Sequence, residues 1–308
     1  MGRALESSLA ILNGLVGQYL HAEENQLATR MMFVHDDREL SLDREALRAA
    51  FPRTTANAKL VVFVHGMMCT ERVWRLPDGE DYGTLLARDL GFTPLYLRYN
   101  SGRSIADNGA TFSARLTELV QNYPFAIDEI VLVGFSMGGL VIRSACEHAE
   151  AAHEPWLRRV HRAIYIGTPH LGAPLERAGK AVTKLLTKIE DPYLRLIVDI
   201  ANLRSDGIKD LGHGDISHED RALTDSGTRS SAPPRPLHAN IHHHLIAGTL
   251  LSHPRLADLL GDTLVPVQSA TFGHATENVH VVEGVTHTAL AHDMRVYEQI
   301  RRWCEVSS

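Results

Sequence analysis

Apolar runs of strand length alternate with helix-length amphipathic segments over most of the chain. Runs of Val, Ile, Leu and Phe without polar interruption are typical of strands that are buried on both faces, as in a parallel sheet. The alternating segments span residues 59–66, 79–90, 93–99, 104–121, 128–135, 138–150, 160–167, 243–249, 254–260, 278–283 and 288–305. This pattern predicts an α/β fold: a mainly parallel central sheet with helices on both faces and its functional loops at the carboxyl ends of the strands.

The N-terminal region precedes this alternation and carries a different pattern. Residues 1–25 predict an amphipathic helix, because one stripe of apolar side chains recurs at helical spacing: Leu5, Leu9, Leu12, Val16 and Leu20. We expect this stripe to pack on the main domain, since the polar face lacks the lysines and arginines of a membrane-surface helix. Residues 30–40 predict an outer strand or hairpin arm, and residues 43–51 a short helix.

Residues 175–240 interrupt the alternation and predict a cap or lid, inserted into a single domain that spans residues 1–308. Helical segments at 178–189 and 193–203 carry apolar side chains that suit the roof of an acyl pocket: Val182, Leu185, Leu186, Ile189, Leu194, Ile197, Val198 and Ile200. The alternative is a disordered surface insertion, which the Ser- and Pro-rich residues 226–236 fit better than the helical part does.

A serine motif follows one of the buried strands. Residues 134–138 read Gly-Phe-Ser-Met-Gly, a GxSxG sequence with an apolar strand before it and a helical segment after it. Glycines at both ends let the chain turn sharply and present the Ser136 hydroxyl at the end of a strand. The first turn of the helix directs unpaired N–H groups to the same point, so Met137 N–H is a candidate oxyanion donor. The alternative is an ordinary glycine-rich turn.

A second buried strand ends in residues 65–68, His-Gly-Met-Met. In a parallel sheet this strand would end beside the serine strand, which makes Met67 N–H the candidate second oxyanion donor. Gly66 and Met68 are then candidate substrate-binding residues. His65 precedes the serine in sequence and lies next to the loop glycine, so we expect it to bond the loop backbone and line the substrate site rather than act as the base.

A candidate acid and base follow downstream. Asp262 lies in a tight turn just before Pro266, and His287 lies on a loop after the last predicted strand. The order Ser136, Asp262, His287 is the nucleophile, acid and base order of the α/β-hydrolase arrangement. A turn aspartate that bonds its own backbone is the alternative for Asp262, and His292 is the reserve candidate for the base.

With these residues the chain resembles the α/β-hydrolase superfamily, and more narrowly its lipase-like and PGAP1-like serine esterase branch. The narrower resemblance rests on residues 164–174, which read IYIGTPHLGAP. The resemblance implies an α/β-hydrolase fold in which His170 and Gly172 shape the wall beside the serine. Leu171 in the same loop, and Asn100 in the loop after another predicted strand, are further candidate substrate-binding residues.

We therefore interpret the chain as a serine hydrolase that cleaves carboxylic esters, esterase-like or lipase-like, through an acyl-enzyme intermediate. Its expected partner is a small-molecule ester or a lipid. Acyl transfer, thioester cleavage and amide cleavage are alternatives that use the same triad. A non-catalytic binding protein that retains the hydrolase fold is the alternative from another class.

Composition narrows the possible partners. The chain has 37 acidic and 31 basic residues, for a formal net charge of −6, which argues against a nucleic-acid partner. Its three cysteines are far apart and lack zinc spacing, so neither a disulfide framework nor a zinc site is expected. The N-terminal residues show no clear cleavage site and too many polar positions for a transmembrane helix, which together with the few cysteines favours the cytoplasm.

Two polar tracts resemble metal sites only superficially. Residues 206–220 are rich in Asp and His but lack the spacing of an EF-hand or of His-Glu-x-x-His, which favours a solvated loop. Residues 242–244 are three histidines that run into a strand, so alternate rings face opposite sides, as expected of a sheet edge and site wall. We expect no metal and no cofactor.

Overall fold

The computed structural model describes residues 3–51, 57–173, 205–228, 235–250, 262–273 and 278–305. The helices predicted at 178–189, 193–203 and 254–260 lie outside the described residues, as does the middle of the Ser- and Pro-rich stretch. The cap interpretation of residues 175–240 therefore stays a prediction.

The described residues contain the alternating strands and helices that the apolar pattern predicts. The strands are β1 (Met32–His35), β2 (Arg38–Leu40), β3 (Asn57–Val64), β4 (Phe92–Arg98), β5 (Ala126–Phe135), β6 (Val160–Ile166), β7 (His242–Thr249) and β8 (Val279–Glu283). The helices are α1 (Arg3–Ala22), α2 (Arg44–Ala50), α3 (Tyr82–Leu90), α4 (Ile105–Asn122), α5 (Met137–Ala151), α6 (Asp206–His213), α7 (His218–Asp225), α8 (Val267–Ala270) and α9 (Met294–Glu305). Short 3-10 turns span Glu71–Trp74, Pro155–Arg159 and Thr288–His292.

The described strands form one eight-stranded sheet in the order β2-β1-β4-β3-β5-β6-β7-β8. Strands β3 to β8 run parallel to their neighbours, and the β1–β2 hairpin adds to β4 in the antiparallel sense. The chain places β4 on one side of β3 and β5 on the other, so the strand order reverses between β3 and β5. Ligands bind at such a reversal in open α/β sheets, because the loops after the two strands diverge there.

The core lies on both faces of this sheet. In β3, Leu60, Val62 and Val64 face one side with the apolar side chains of α4 and α5. Val61 and Phe63 face the other side, where side chains from α3 and α9 cover them. All five side chains are fully buried, which explains why β3 reads as a continuous apolar run. The mainly parallel sheet with helices on both faces is thus confirmed.

The N-terminal helix extends over most of the predicted range. Its buried residues form a cluster with Met68 of the main domain and with Ile208 of α6: Ile11, Leu12, Leu15, Val16 and Leu20. The buried face is rotated from the predicted stripe, since Leu5 is 47% exposed and Leu9 is only partly buried. No described helix is both long enough and apolar enough to cross a bilayer.

Two expectations for the polar tracts are wrong. Residues 206–220 do not form a solvated loop: they include α6 and the start of α7, and Asp210 and Asp220 are buried there. Arginines pair with these carboxylates, Arg221 Nε with Asp210 at 2.9 Å and Arg235 Nε with Asp220 at 3.1 Å. Strand β7, which carries the three histidines, lies between β6 and β8 and not at the sheet edge. Within the described residues no group of three or more His, Cys, Asp or Glu side chains could hold a metal ion.

Candidate active site

Ser136 occupies the turn between β5 and α5. Its backbone has φ 52° and ψ −125°, a sparsely populated conformation for a residue other than glycine. The Ser136 N–H donates to the carbonyl of Ile166 at the end of β6, at 2.8 Å. The neighbouring strand thus holds the strained residue in place, and the hydroxyl stands at the carboxyl end of the sheet.

Two residues from distant parts of the chain meet this serine. His287 Nε2 lies 2.9 Å from Ser136 Oγ, and His287 Nδ1 lies 2.7 Å from Asp262 Oδ2. With Nδ1–H donating to the carboxylate, Nε2 is left as an acceptor for the serine proton. The side chains are almost fully buried: Ser136 is 4% exposed, Asp262 0% and His287 6%. The structure therefore brings the three predicted residues together in the predicted order.

The Asp262 carboxylate is held by its own turn. Its Oδ1 accepts the N–H of Leu264 at 3.1 Å and the N–H of Val265 at 2.9 Å. The His287 N–H also donates to the Asp262 carbonyl, at 3.0 Å. One carboxylate oxygen of Asp262 thus bonds the local backbone and the other faces the histidine, and the role of Asp262 as the acid stays a prediction.

The His287 ring packs between β5 and β6. It lies against Phe135, with ring centroids 5.0 Å apart. On the other side, a Cβ atom at Gly167 would lie 3.1 Å from His287 Cε1, and Gly167 has φ 57°. Gly167 and Phe135 were not predicted as site residues, although each stands next to a motif residue at the end of a strand. A glycine at the last position of the predicted strand segment 160–167 was the available signal.

The predicted oxyanion donors follow β3 and β5, the two strands between which the strand order reverses. A Cβ atom at Gly66 would lie 3.1 Å from Ser136 Cβ, so the loop after β3 runs beside the serine. Met137 is the first residue of α5, where helix N–H groups have no intrahelical acceptor. Among the hydrogen bonds of the described residues, neither Met67 N–H nor Met137 N–H has an acceptor. Their role as oxyanion donors stays a prediction.

His65 contacts the backbone of the loop that follows β3. Its fully buried ring has Nδ1 2.8 Å from the Gly66 carbonyl, and Nε2 accepts the Tyr99 N–H at 3.4 Å. The ring also stacks on Tyr99, with centroids 4.4 Å apart. Burial lowers the pKa of His65 to about 4, so the ring stays neutral at physiological pH. Both ring nitrogens thus contact the backbone and hold the loop in place. Neither nitrogen is free for the predicted contact with substrate.

Acid should destabilise the fold through His65. Unfolded His65 binds a proton below its ordinary pKa of 6.5, whereas the native ring resists protonation down to about pH 4. Stability contributed by the neutral ring is therefore lost as pH falls from 6.5 towards 4. Between pH 7.5 and pH 5 we expect the loss of unfolding free energy to be about 2 kcal/mol smaller in His65→Gln than in the unmodified protein. Urea unfolding at both pH values measures this, and equal losses would refute it.

The other predicted substrate-binding side chains differ in exposure. His170 is buried between Tyr165 and Phe272, with ring centroids 4.8 Å and 5.5 Å away. Asn100 and Met68 are also buried. Leu171, in contrast, is 42% exposed. Leu171 thus differs from the others in the exposure of its side chain, and the substrate-binding role of the whole set stays a prediction.

Comparisons with known proteins place the chain among hydrolases. The family model of the alpha/beta hydrolase family matches residues 61–299. A Bacillus licheniformis lipase is similar in structure. The match to its propeptide form has a TM-score of 0.53 at 20% identity, and this match covers 82% of this chain and 51% of that chain. The chain thus spans about half of that form. The mature form has a TM-score of 0.51 at 20% identity, covering 83% of this chain and 95% of that one. A comparison with curated proteins found no match.

Proposed function

The chain belongs to the alpha/beta hydrolase family, and within it we propose that this protein is a serine hydrolase that cleaves carboxylic esters through an acyl-enzyme intermediate. The hydrogen bonds from Ser136 to His287 and from His287 to Asp262 carry the proposal. These contacts supply a nucleophile, a base and an orienting acid in one buried line at the carboxyl end of the sheet.

In the acylation step, Ser136 Oγ attacks the carbonyl carbon of the ester and its proton passes to His287 Nε2. The Asp262 carboxylate, 2.7 Å from Nδ1, stabilises the imidazolium that forms. When the tetrahedral intermediate collapses, the bond between the carbonyl carbon and the alcohol oxygen breaks. His287 gives its proton to that oxygen, so the alcohol leaves neutral and the acyl group stays on Ser136.

In the deacylation step, water takes the place of the alcohol. His287 Nε2 accepts a proton from the water as the water oxygen attacks the acyl carbon. The bond to Ser136 Oγ then breaks, the serine recovers its proton, and the carboxylic acid is released. In both steps the negative charge on the carbonyl oxygen is stabilised by the N–H groups of Met67 and Met137, which need no reorganisation to receive it.

The substrate is proposed to be a small ester or a lipid. The exposed Leu171 side chain beside the buried His170 offers an apolar contact in the loop that follows β6. The lipase-like and PGAP1-like branch remains a proposal that rests on residues 164–174. Acyl transfer, thioester cleavage and amide cleavage share the acylation step and differ in the leaving group or the acceptor.

A matched substrate set tests the reaction class. The butyrate ester of p-nitrophenol, the corresponding thioester and the corresponding p-nitroanilide present the same acyl group with three leaving groups. We expect kcat/KM to be highest for the oxygen ester, with butyric acid as the product even when glycerol is added as a competing acceptor. Faster cleavage of the thioester, or butyryl glycerol as the main product, would replace ester hydrolysis with one of the alternatives.

A further inference from the structure

Helix α1 packs against the loops that follow β3 and β4. A Cβ atom at Gly14 would overlap the Met68 side chain, so the absence of a side chain there lets Met68 lie against the helix. Asn100 reaches the same helix, since its Nδ2 donates to the Gly17 carbonyl at 2.9 Å. The N-terminal helix therefore contacts two loops at the end of the sheet where Ser136 lies.

Ser101 joins these two loops. Its Oγ accepts the N–H of Met68 at 3.0 Å, and both residues are buried. Met68 has φ 58°, a left-handed conformation that a residue with a side chain rarely adopts. The hydrogen bond fixes the peptide group between Met67 and Met68 in this conformation, and so fixes the backbone immediately after the Met67 N–H.

The position of Ser101 is set in turn by its neighbours. The Asn100 side chain, anchored to α1, accepts the Gly102 N–H at 3.1 Å through Oδ1. Ser205 adds a contact from the insertion, because its Oγ donates to the Gly14 carbonyl at 2.8 Å. A continuous set of buried contacts thus runs from α1 through residues 100–102 to Met68.

We propose that Ser101 is a positioning residue for the oxyanion hole, and that α1 holds it in place. Ser101 binds the Met68 N–H and thereby positions the adjacent Met67 N–H. This inference rests on the proposed function, in which the Met67 N–H is an oxyanion donor. An oxyanion donor stabilises the transition state far more than the bound substrate, so displacing it lowers kcat and leaves KM nearly unchanged. Deleting one such donor outright costs on the order of 10²-fold to 10³-fold in kcat.

Ser101→Ala removes the acceptor and should lower kcat by about 10-fold to 10²-fold, with KM within about twofold of the unmodified value. Inhibition by a trifluoromethyl ketone analogue of the ester is a second measurement, and a purely structural role of Ser101 would not change its inhibition constant. The analogue forms a hemiketal oxyanion on Ser136, so its inhibition constant should rise by the same factor as kcat/KM falls. Asp43→Ala is the matched control, because Asp43 likewise accepts one backbone N–H, from Ala46 at 2.8 Å, at the start of α2. It should leave kcat and the inhibition constant unchanged.

Gly14→Ala tests the same contact from the helix side. Alanine favours the helix more than glycine does, so a fall in kcat cannot come from a lower helix propensity of α1. We expect the same split between kcat and KM, because the new methyl group displaces Met68. Gly14→Ala also decides the matter if Ser101→Ala does not fold. A folded Ser101→Ala or Gly14→Ala variant with kcat and inhibition constant within twofold of the unmodified protein would overturn the inference.

The failure of this inference can be told apart from the failure of the proposed function by including Ser136→Ala in the same assays. Full ester turnover in Ser136→Ala would remove the proposed function itself. An inactive Ser136→Ala beside a fully active Ser101→Ala would remove only the role of Ser101.

Discussion

Replacing Ser136 with alanine is expected to lower ester turnover by about 10³-fold or more while the protein stays folded. The change deletes one oxygen at the end of β5 whose partner is His287 Nε2. It leaves the Ser136 N–H bond to Ile166 in place, because that bond uses the backbone. The positive φ at this residue is as strained for alanine as for serine, so the turn loses no conformational preference.

Turnover of p-nitrophenyl butyrate measures this effect, with circular dichroism and the thermal midpoint as controls for folding. Ser144→Ala is the matched control, since Ser144 is a fully buried serine on the same α5 and lies outside the hydrogen bonds of the site. A folded Ser136→Ala protein with the turnover of the unmodified chain would show that another residue is the nucleophile.

Removing the base should have an equally large effect. His287→Ala removes the one acceptor that the Ser136 hydroxyl has among the described residues, so we expect a loss of kcat/KM on the order of 10³-fold or more. The double variant Ser136→Ala, His287→Ala should be no less active than either single variant, because residues that act as one unit give non-additive losses. Multiplied losses in the double variant would mean that the two residues act independently.

His292→Ala is the control for the base. His292 lies at the end of the turn Thr288–His292, and its described hydrogen bonds include none to Ser136 or Asp262. It should keep most of the activity. An inactive His292→Ala protein beside an active His287→Ala protein would contradict the assignment of the base and leave the fold unchanged.

The sheet and the candidate triad could be predicted because their signals are local. The continuous apolar runs of β3 and β5 report burial on both faces, and the glycines around Ser136 report a sharp turn. Parallel strands align their carboxyl ends, so residues that follow different strands in sequence converge in space. The order of Asp262 and His287 after the serine then selected one arrangement among those that serine hydrolases use.

The supporting contacts could not be predicted, because they join residues that are far apart in the chain. Asn100 was predicted as a substrate-binding residue, and its side-chain Nδ2 donates to the Gly17 carbonyl on α1. Asp210 lies in residues 206–220, which were predicted to form a solvated loop. Its carboxylate instead accepts the Ile105 N–H at 2.8 Å, at the start of α4. A polar residue in a turn-rich segment looks the same in sequence whether water or a distant backbone group satisfies it.

The N-terminal helix could be predicted from the sequence, but the surface that it covers could not. Its apolar spacing predicts one buried face, but the pattern does not show which surface that face covers. The structure places the buried face against Met68 and Ile208, next to the loop that carries Met67. A helix outside the matched family segment, residues 61–299, thus contacts the proposed oxyanion loop.

The most direct test of the account is the site of covalent labelling by a fluorophosphonate. The reagent phosphonylates an activated serine, and the tryptic peptide of residues 116–143 contains a single serine, Ser136. The account predicts one phosphonyl group per chain on this peptide, located at Ser136 by tandem mass spectrometry, and no label in Ser136→Ala, in His287→Ala or in protein unfolded with urea. Label on another residue of the folded protein, or a folded chain that takes up no label, would contradict the claim that Ser136 is the nucleophile.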